Sequence, residues 1–72
     1  MPSLPVISGI DLIKALERCG FKRVRQKGSH VTMRKRDKKT VVPLHRELAR
    51  GTINSILKQT GISRVELLKL LK

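Results

Sequence analysis

A stripe of apolar residues at helical spacing marks the first predicted element of the chain. The stripe consists of Ile10, Leu12, Ile13 and Leu16. Its spacing predicts a helix over about residues 9–19. Ser8 and Asp11 stand three residues apart at its start, as in a capping box. Gly20 can adopt the positive φ that ends a helix, and Phe21 can make the closing hydrophobic contact.

The pattern then changes to the period-two alternation of β-strands. It predicts three strands, over residues 21–27, 30–36 and 40–42. Gly28-Ser29 forms the first turn, and Asp37-Lys38-Lys39 forms a polar hairpin connection. Three adjacent strands with such short connections favour an antiparallel meander.

Alternation also assigns side chains to the two faces of this sheet. The cations expected on one face of the first strand are Arg23, Arg25 and Lys27. The residues expected to share one face of the second strand are His30, Thr32 and Arg34. Val31 and Met33 would share the other face. We therefore expect one face of the sheet to pack on helices, while the other is open and basic.

Two further helices are predicted in the last third of the chain. Residues 44–51 form a connecting loop, and Thr52 is the expected N-cap of a helix over 53–60. The residues on its apolar face are Ile53, Ile56, Leu57 and Thr60. Ser63 and Glu66 form a second capping box, which starts a short last helix.

The last helix contains more apolar residues than one narrow stripe needs: Val65, Leu67, Leu68, Leu70 and Leu71. We favour the interpretation that they close the core, and the alternative is that some form a partner surface. The element order is α-β-β-β-α with a short C-terminal helix. It predicts an α+β fold, a three-stranded antiparallel sheet packed on two helices, as one domain over residues 1–72.

The charge composition of the chain indicates a polyanionic binding partner. Seventeen Lys and Arg residues against five Asp and Glu residues give a net charge of +12. Clustered cations displace the counterions condensed on phosphates, so we expect a nucleic acid as partner. Phe21 is the only aromatic residue, which leaves no platform for base stacking and indicates contact through the phosphate backbone.

Other features indicate the cytoplasm and no membrane association. No stretch approaches the roughly 18 apolar residues of a membrane-spanning helix. Residues 1–5 show neither the basic nor the apolar region of a signal peptide. Cys19 is the single cysteine, so it can form neither an internal disulfide nor a zinc site.

Several short segments follow one another in a combination that is specific to one family: Ser8-Gly9, Leu16 through Gly20-Phe21, Arg25-Gln26-Lys27-Gly28-Ser29-His30, Val42-Pro43-Leu44-His45, Gly51-Thr52-Ile53, Ile56-Leu57-Lys58-Gln59 and Gly61-Ile62-Ser63. In this order they resemble the HicA-type toxins of bacterial and archaeal toxin–antitoxin systems, also called YcfA-like proteins. One departure is the loop over residues 46–50, which lacks a glycine that many members have.

The resemblance implies a small toxin that cleaves mRNA, with a fold similar to the double-stranded RNA-binding domain. From the residues alone we expect no cofactor. The resemblance implies that His30, the histidine of the Gly-Ser-His element, is catalytic. It also implies a HicB-type antitoxin that binds the toxin and masks this histidine. Such a partner should be complementary in charge and therefore acidic.

Endoribonuclease chemistry suits these residues. RNA carries its own nucleophile, the 2′-hydroxyl, and a histidine can deprotonate it near neutral pH. The cations that could stabilise the developing charge are Arg23, Arg25, Lys27 and Arg34. Ser29 could donate a hydrogen bond to phosphate, and Gly28 lets the backbone come close. The five acids are scattered, so we expect no metal site and metal-independent cleavage to a 2′,3′-cyclic phosphate or its hydrolysis product.

Some roles have two interpretations. His45 either orders the turn after Pro43 or serves as a second acid/base or phosphate-binding group. The cations of 34–36 and 38–39 are either a solvated hairpin tip or phosphate contacts. For the whole chain, two other classes compete: a non-catalytic double-stranded-RNA-binding module, and a basic interaction protein that assembles through the surface of Leu67–Leu71.

Overall fold

The computed structural model describes residues 5–71, which form three helices and one sheet. The elements are α1 (Gly9–Arg18), β1 (Lys22–Lys27), β2 (His30–Lys35), β3 (Lys38–Pro43), α2 (Arg50–Thr60) and α3 (Arg64–Leu70). The strands lie in the order β1-β2-β3, and both neighbouring pairs are antiparallel. The predicted α+β class and antiparallel meander are therefore confirmed. The expectation about a signal peptide concerns mainly residues 1–4, which lie outside the described residues.

Both ends of α1 are capped as the sequence predicts. The Ser8 hydroxyl accepts a hydrogen bond from the backbone N–H of Asp11 at 3.1 Å, and the Asp11 carboxylate accepts one from the backbone N–H of Ser8 at 3.5 Å. At the other end, Gly20 has a φ of +100°. The N–H of Phe21 donates to the carbonyl of Leu16, which completes a Schellman motif with Phe21 buried as its hydrophobic contact.

The buried face of α1 is rotated relative to the predicted stripe. Its buried residues are Gly9, Leu12, Ile13, Ala15 and Leu16. Ile10 is 54% exposed. Each residue advances about 100° around a helix, which puts Ile10 outside the arc that these residues occupy. The prediction that Ile10 belongs to the buried stripe is therefore wrong.

The second hairpin is tighter than predicted. Its strands close on the pair Lys35 and Lys38, so the turn consists of Arg36 and Asp37 alone. β3 consequently covers six residues rather than the predicted three. Arg36 has a φ of +56°, a left-handed conformation that is uncommon outside glycine and that a polar pattern does not reveal.

Burial alternates along β2 and β3, and the alternation separates two faces of the sheet. The side chains that face the helices are those of Val31, Met33, Thr40 and Val42, and all four are buried. His30, Thr32 and Arg34 lie on the opposite side, as predicted. We call this second side the open face. The helices pack on one side of the sheet only, so the core is a single layer.

α2 begins earlier than predicted and has no side-chain cap. Its N-cap is Ala49 and its first residue is Arg50. Thr52 therefore lies inside the helix, and the prediction that Thr52 is the N-cap is wrong. The predicted apolar face is confirmed, because the buried residues of α2 are Ile53, Ile56, Leu57 and Thr60. Gly61 ends the helix with a φ of +75°.

The predicted capping box of Ser63 and Glu66 starts α3. Leu67 is fully buried, and Leu70 and Leu71 pack against the core from its edge. Leu67, Leu70 and Leu71 therefore close the core, as we favoured, whereas Val65 is 52% exposed.

A close backbone contact joins the start of α1 to the segment that follows β3. The N–H of Gly9 donates a hydrogen bond to the carbonyl of His45 at 2.9 Å. A Cβ atom at Gly9 would overlap the carbonyl oxygen of Pro43 and would meet the Cα of Leu44 at 3.0 Å. Space, rather than backbone conformation, therefore requires glycine at this position.

Replacement of Gly9 by alanine should lower the free energy of unfolding by about 1–3 kcal/mol, because the new methyl group meets backbone atoms. Gly51→Ala in the first turn of α2 is the matched control, since nothing lies within 4 Å of a Cβ there. The control should be neutral or stabilising by up to about 1 kcal/mol. Urea denaturation measures both variants, and equal effects would contradict the packing role of Gly9.

Candidate functional site

Gly28 and Ser29 form a two-residue turn, which is closed by the pair of Lys27 and His30. Gly28 has a φ of +58° and Ser29 does not have a positive φ, as a type II′ hairpin turn requires. The side-chain amide of Gln26 donates to the carbonyl of Gly28 at 3.2 Å. A Cβ atom at Gly28 would have nothing within 4 Å, so backbone conformation selects glycine here.

His30 is the first residue of β2 and lies on the open face. Its partners across the sheet are Lys27 in β1 and Pro43 in β3. Directly opposite residues of an antiparallel pair point to the same side of the sheet. The ammonium group of Lys27 and the imidazole of His30 therefore share one side. His30 is exposed, and a macromolecular ligand can reach it.

Backbone hydrogen bonds bring the second histidine segment to this turn. The N–H of Leu44 donates to the carbonyl of Ser29 at 2.7 Å. The carbonyl of His45 accepts from Gly9, as described above. The first turn, the segment after β3 and the start of α1 therefore meet at one end of the sheet. The side chain of His45 is exposed there, and its backbone orders the junction.

The pairing register arranges the open face in three rows that run across the strands. The histidine row consists of Lys27, His30 and Pro43. The middle row consists of Arg25, Thr32 and Val41. The far row consists of Lys22, Arg34 and Lys39. Arg34 lies four residues along β2 from His30, a distance of roughly 13 Å.

Arg23 does not share the face of the other predicted cations. The register of β1 shifts between Arg23 and Arg25, because a β-bulge adds one residue there. Arg23 consequently pairs with Met33 on the helix side, and its guanidinium lies 3.7 Å from the carboxylate of Glu17. The prediction that Arg23, Arg25 and Lys27 share one face is wrong for Arg23.

Two further cations, Lys22 and Lys39, lie on the open face, a position that the sequence did not predict for either of them. Lys22 pairs with Arg34 because the bulge reverses the face assignment at the start of β1. Lys39 was expected in a connection, yet it is part of β3 and pairs with Arg34 from the other side. The alternation of exposed Lys39 and Val41 with buried Thr40 and Val42 is the sequence pattern that could have indicated the longer β3.

Within residues 5–71, no three His, Cys, Asp or Glu side chains come together in a group that could hold a metal ion. Nor does any helix in that range combine the length and apolar character needed to cross a membrane. The thiol of Cys19 is free and partly buried beside the core.

Comparison with known protein families gives one match. Residues 9–62 fit the family model described as the HicA toxin of bacterial toxin–antitoxin. This range covers three-quarters of the chain and contains the Gly-Ser-His turn, both histidines and the whole sheet. A search of curated proteins found no match.

The turn itself yields a test of the backbone conformation that positions His30. Gly28→Val should lower the free energy of unfolding by about 1–2 kcal/mol, since a β-branched residue resists a left-handed conformation. Gly28→Asn should cost less, because asparagine adopts that conformation more readily. Chemical denaturation of both variants checks the order. Equal losses would show that the conformation of residue 28 does not limit stability.

Proposed function

The chain belongs to the HicA toxin family, and on that premise we propose that it is a metal-independent endoribonuclease whose catalytic group is His30. Toxins of this family act generally as ribonucleases. The observation that carries the proposal is the exposure of His30 on the open face, directly opposite the cation Lys27. An mRNA substrate implies action in the cytoplasm.

The reaction uses the nucleophile of the RNA. His30 accepts the proton of a 2′-hydroxyl, and the 2′ oxygen forms a bond to the adjacent phosphorus. The bond between this phosphorus and the 5′ oxygen then breaks, which leaves a 2′,3′-cyclic phosphate and a 5′-hydroxyl. The departing oxygen takes a proton from the imidazolium of His30 or from His45. General acid/base help of this kind is worth about 10²–10⁴-fold in rate.

The neighbours of His30 supply charge and close approach. The ammonium group of Lys27 stabilises the negative charge that develops on the phosphorane. Ser29 donates a hydrogen bond from its hydroxyl to a phosphate oxygen. The open space around Gly28 admits the RNA backbone close to the turn. Arg25 and Arg34 contact phosphates farther along the open face, where they add affinity more than rate.

No step of this scheme needs a divalent ion. Proton transfer is assigned to an imidazole, and charge stabilisation is assigned to side-chain cations. The five acidic residues of the chain are dispersed along the sequence. Of these, Asp11 and Glu66 serve in helix caps, and Glu17 lies beside Arg23.

A HicB-type antitoxin is the proposed regulator. The exposed imidazole and the adjacent ammonium group of Lys27 suit a protein that covers them with acidic side chains. Electrostatic complementarity of this kind accelerates association and excludes wrong partners. Masking His30 would then block the reaction without a change in the fold of the toxin.

The competing function is a non-catalytic double-stranded-RNA-binding module. The order of helices and strands and the basic sheet suit that function equally well. It assigns no role to the exposed histidine or to the turn that presents it. Assembly through the last helix has less support, because Leu67 is fully buried in the core.

Replacement of His30 by alanine should reduce cleavage of single-stranded RNA by about 10²–10⁴-fold and leave RNA binding intact. The side chain is exposed, so the fold should survive, as circular dichroism can verify. His45→Ala in parallel separates a second catalytic group from a structural one. Full activity of His30→Ala, or loss of wild-type cleavage in EDTA that a divalent ion restores, would contradict the proposal. Binding without cleavage by the wild type would favour the competing module.

Arg25 and Arg23 form a matched pair for the open face. Arg25→Gln should reduce the magnitude of the negative slope of log affinity against log salt by about 0.7, which is the value for one phosphate contact on a single strand. Arg23→Gln should leave the slope unchanged, because Arg23 lies on the helix side. Fluorescence anisotropy with a labelled oligonucleotide measures both in the His30→Ala background, where the RNA stays uncut. Equal slopes for the two variants would contradict the assignment of faces.

A further inference from the structure

The far row concentrates like charges at the end of the open face opposite the histidine row. Arg34 lies directly between Lys22 and Lys39 in the pairing register. Like charges that stand directly opposite each other across strands are destabilising. The free protein therefore has a local electrostatic cost here, which a bound polyanion would remove.

The described part of the chain does not neutralise this row. Within residues 5–71, neither Lys22, Arg34 nor Lys39 forms an ion pair. Arg34 donates from its Nε atom to the carbonyl of Arg36 at 3.0 Å, and this contact orients the guanidinium without cancelling its charge. All three side chains are exposed, so they are available to a ligand.

The far row shares its face with the proposed catalytic histidine. Arg34 lies four positions after His30 along β2, which corresponds to roughly 13 Å. Side chains stand roughly perpendicular to a sheet and so keep about this separation, which lets the two rows face different phosphates of one strand. Between them lies the middle row, in which the small uncharged side chains of Thr32 and Val41 stand beside the cation Arg25.

We propose that the far row is a second phosphate-binding subsite, which holds the RNA strand beyond the phosphate that His30 attacks. The subsite deepens the proposed function, since it assigns a direction to the substrate along the open face. Its chemistry favours RNA over an acidic protein. Cores of protein–protein interfaces are depleted of charged residues, whereas nucleic-acid interfaces are strongly positive.

The test replaces the far row by neutral residues of similar length, as Lys22→Gln, Arg34→Gln and Lys39→Gln together. A matched control removes three exposed helix cations, as Lys14→Gln, Lys58→Gln and Lys69→Gln. Both triple variants have the same net charge, and both carry His30→Ala to keep the RNA intact. The probe is a labelled single-stranded 12-nucleotide RNA, followed by fluorescence anisotropy over a range of salt concentrations.

The slope of log affinity against log salt is negative, and its magnitude should fall by about 2 in the far-row variant. This value corresponds to the loss of three phosphate contacts of about 0.7 each. The control should keep the slope of the parent. Equal slopes for the two variants would overturn the subsite. Loss of binding to polyglutamate alone, with RNA binding retained, would also overturn it and identify a contact for acidic proteins.

Binding and cleavage are separate measurements in this design. A wild-type chain that never cuts RNA would contradict the proposed function, yet a reduced salt slope in the far-row variant would still support the subsite. Conversely, a chain that cuts RNA while the far-row variant binds like the control would retain its function and lose the subsite.

Discussion

The contact between the start of α1 and the segment after β3 is the constraint on which the candidate site depends. Gly9 lies against the backbone of Pro43 and Leu44 without space for a side chain. Its N–H donates a hydrogen bond to the carbonyl of His45, and the N–H of Leu44 donates one to the carbonyl of Ser29. These backbone bonds connect the core helix to the turn before His30. The packed core thereby fixes the backbone position of His30, although the side chain of this histidine is exposed.

The two faces of the sheet have different roles. One face contributes apolar side chains to the single-layer core, and the other carries cations in the histidine, middle and far rows. A thin core suits a chain of this size, because a small domain buries a modest share of its surface. The open face is therefore free for a flat, charged contact, which suits a nucleic-acid backbone better than a small molecule that needs a cavity.

Much of this architecture follows from local patterns in the sequence. The capping boxes at Ser8 and Ser63 and the glycines that end α1 and α2 are short-range signals, and each one marks a real helix end. The Gly28-Ser29 turn and the faces of β2 were also predictable. The placement of His30 on the open face followed from them.

The remaining features depend on tertiary context. A β-bulge leaves no signature in the composition of β1, so simple alternation put Arg23 on the wrong face. The left-handed conformation of Arg36 was not predictable, because arginine lacks the preference for it that glycine, asparagine and aspartate have. The prediction that Thr52 is the N-cap of α2 was wrong because the true N-cap, Ala49, has no side chain that can cap a helix and mark its start.

The positions of Lys22 and Lys39 have a consequence beyond ligand binding. They stand on β1 and β3, the two edge strands of the sheet. An edge strand offers unpaired backbone groups to any other strand, and lysines on it are a common protection against such pairing. Two copies of the chain that joined edge to edge would bring these ammonium groups together. The same charges that attract a polyanion thus repel an identical chain, and this repulsion opposes aggregation of a protein with so small a core.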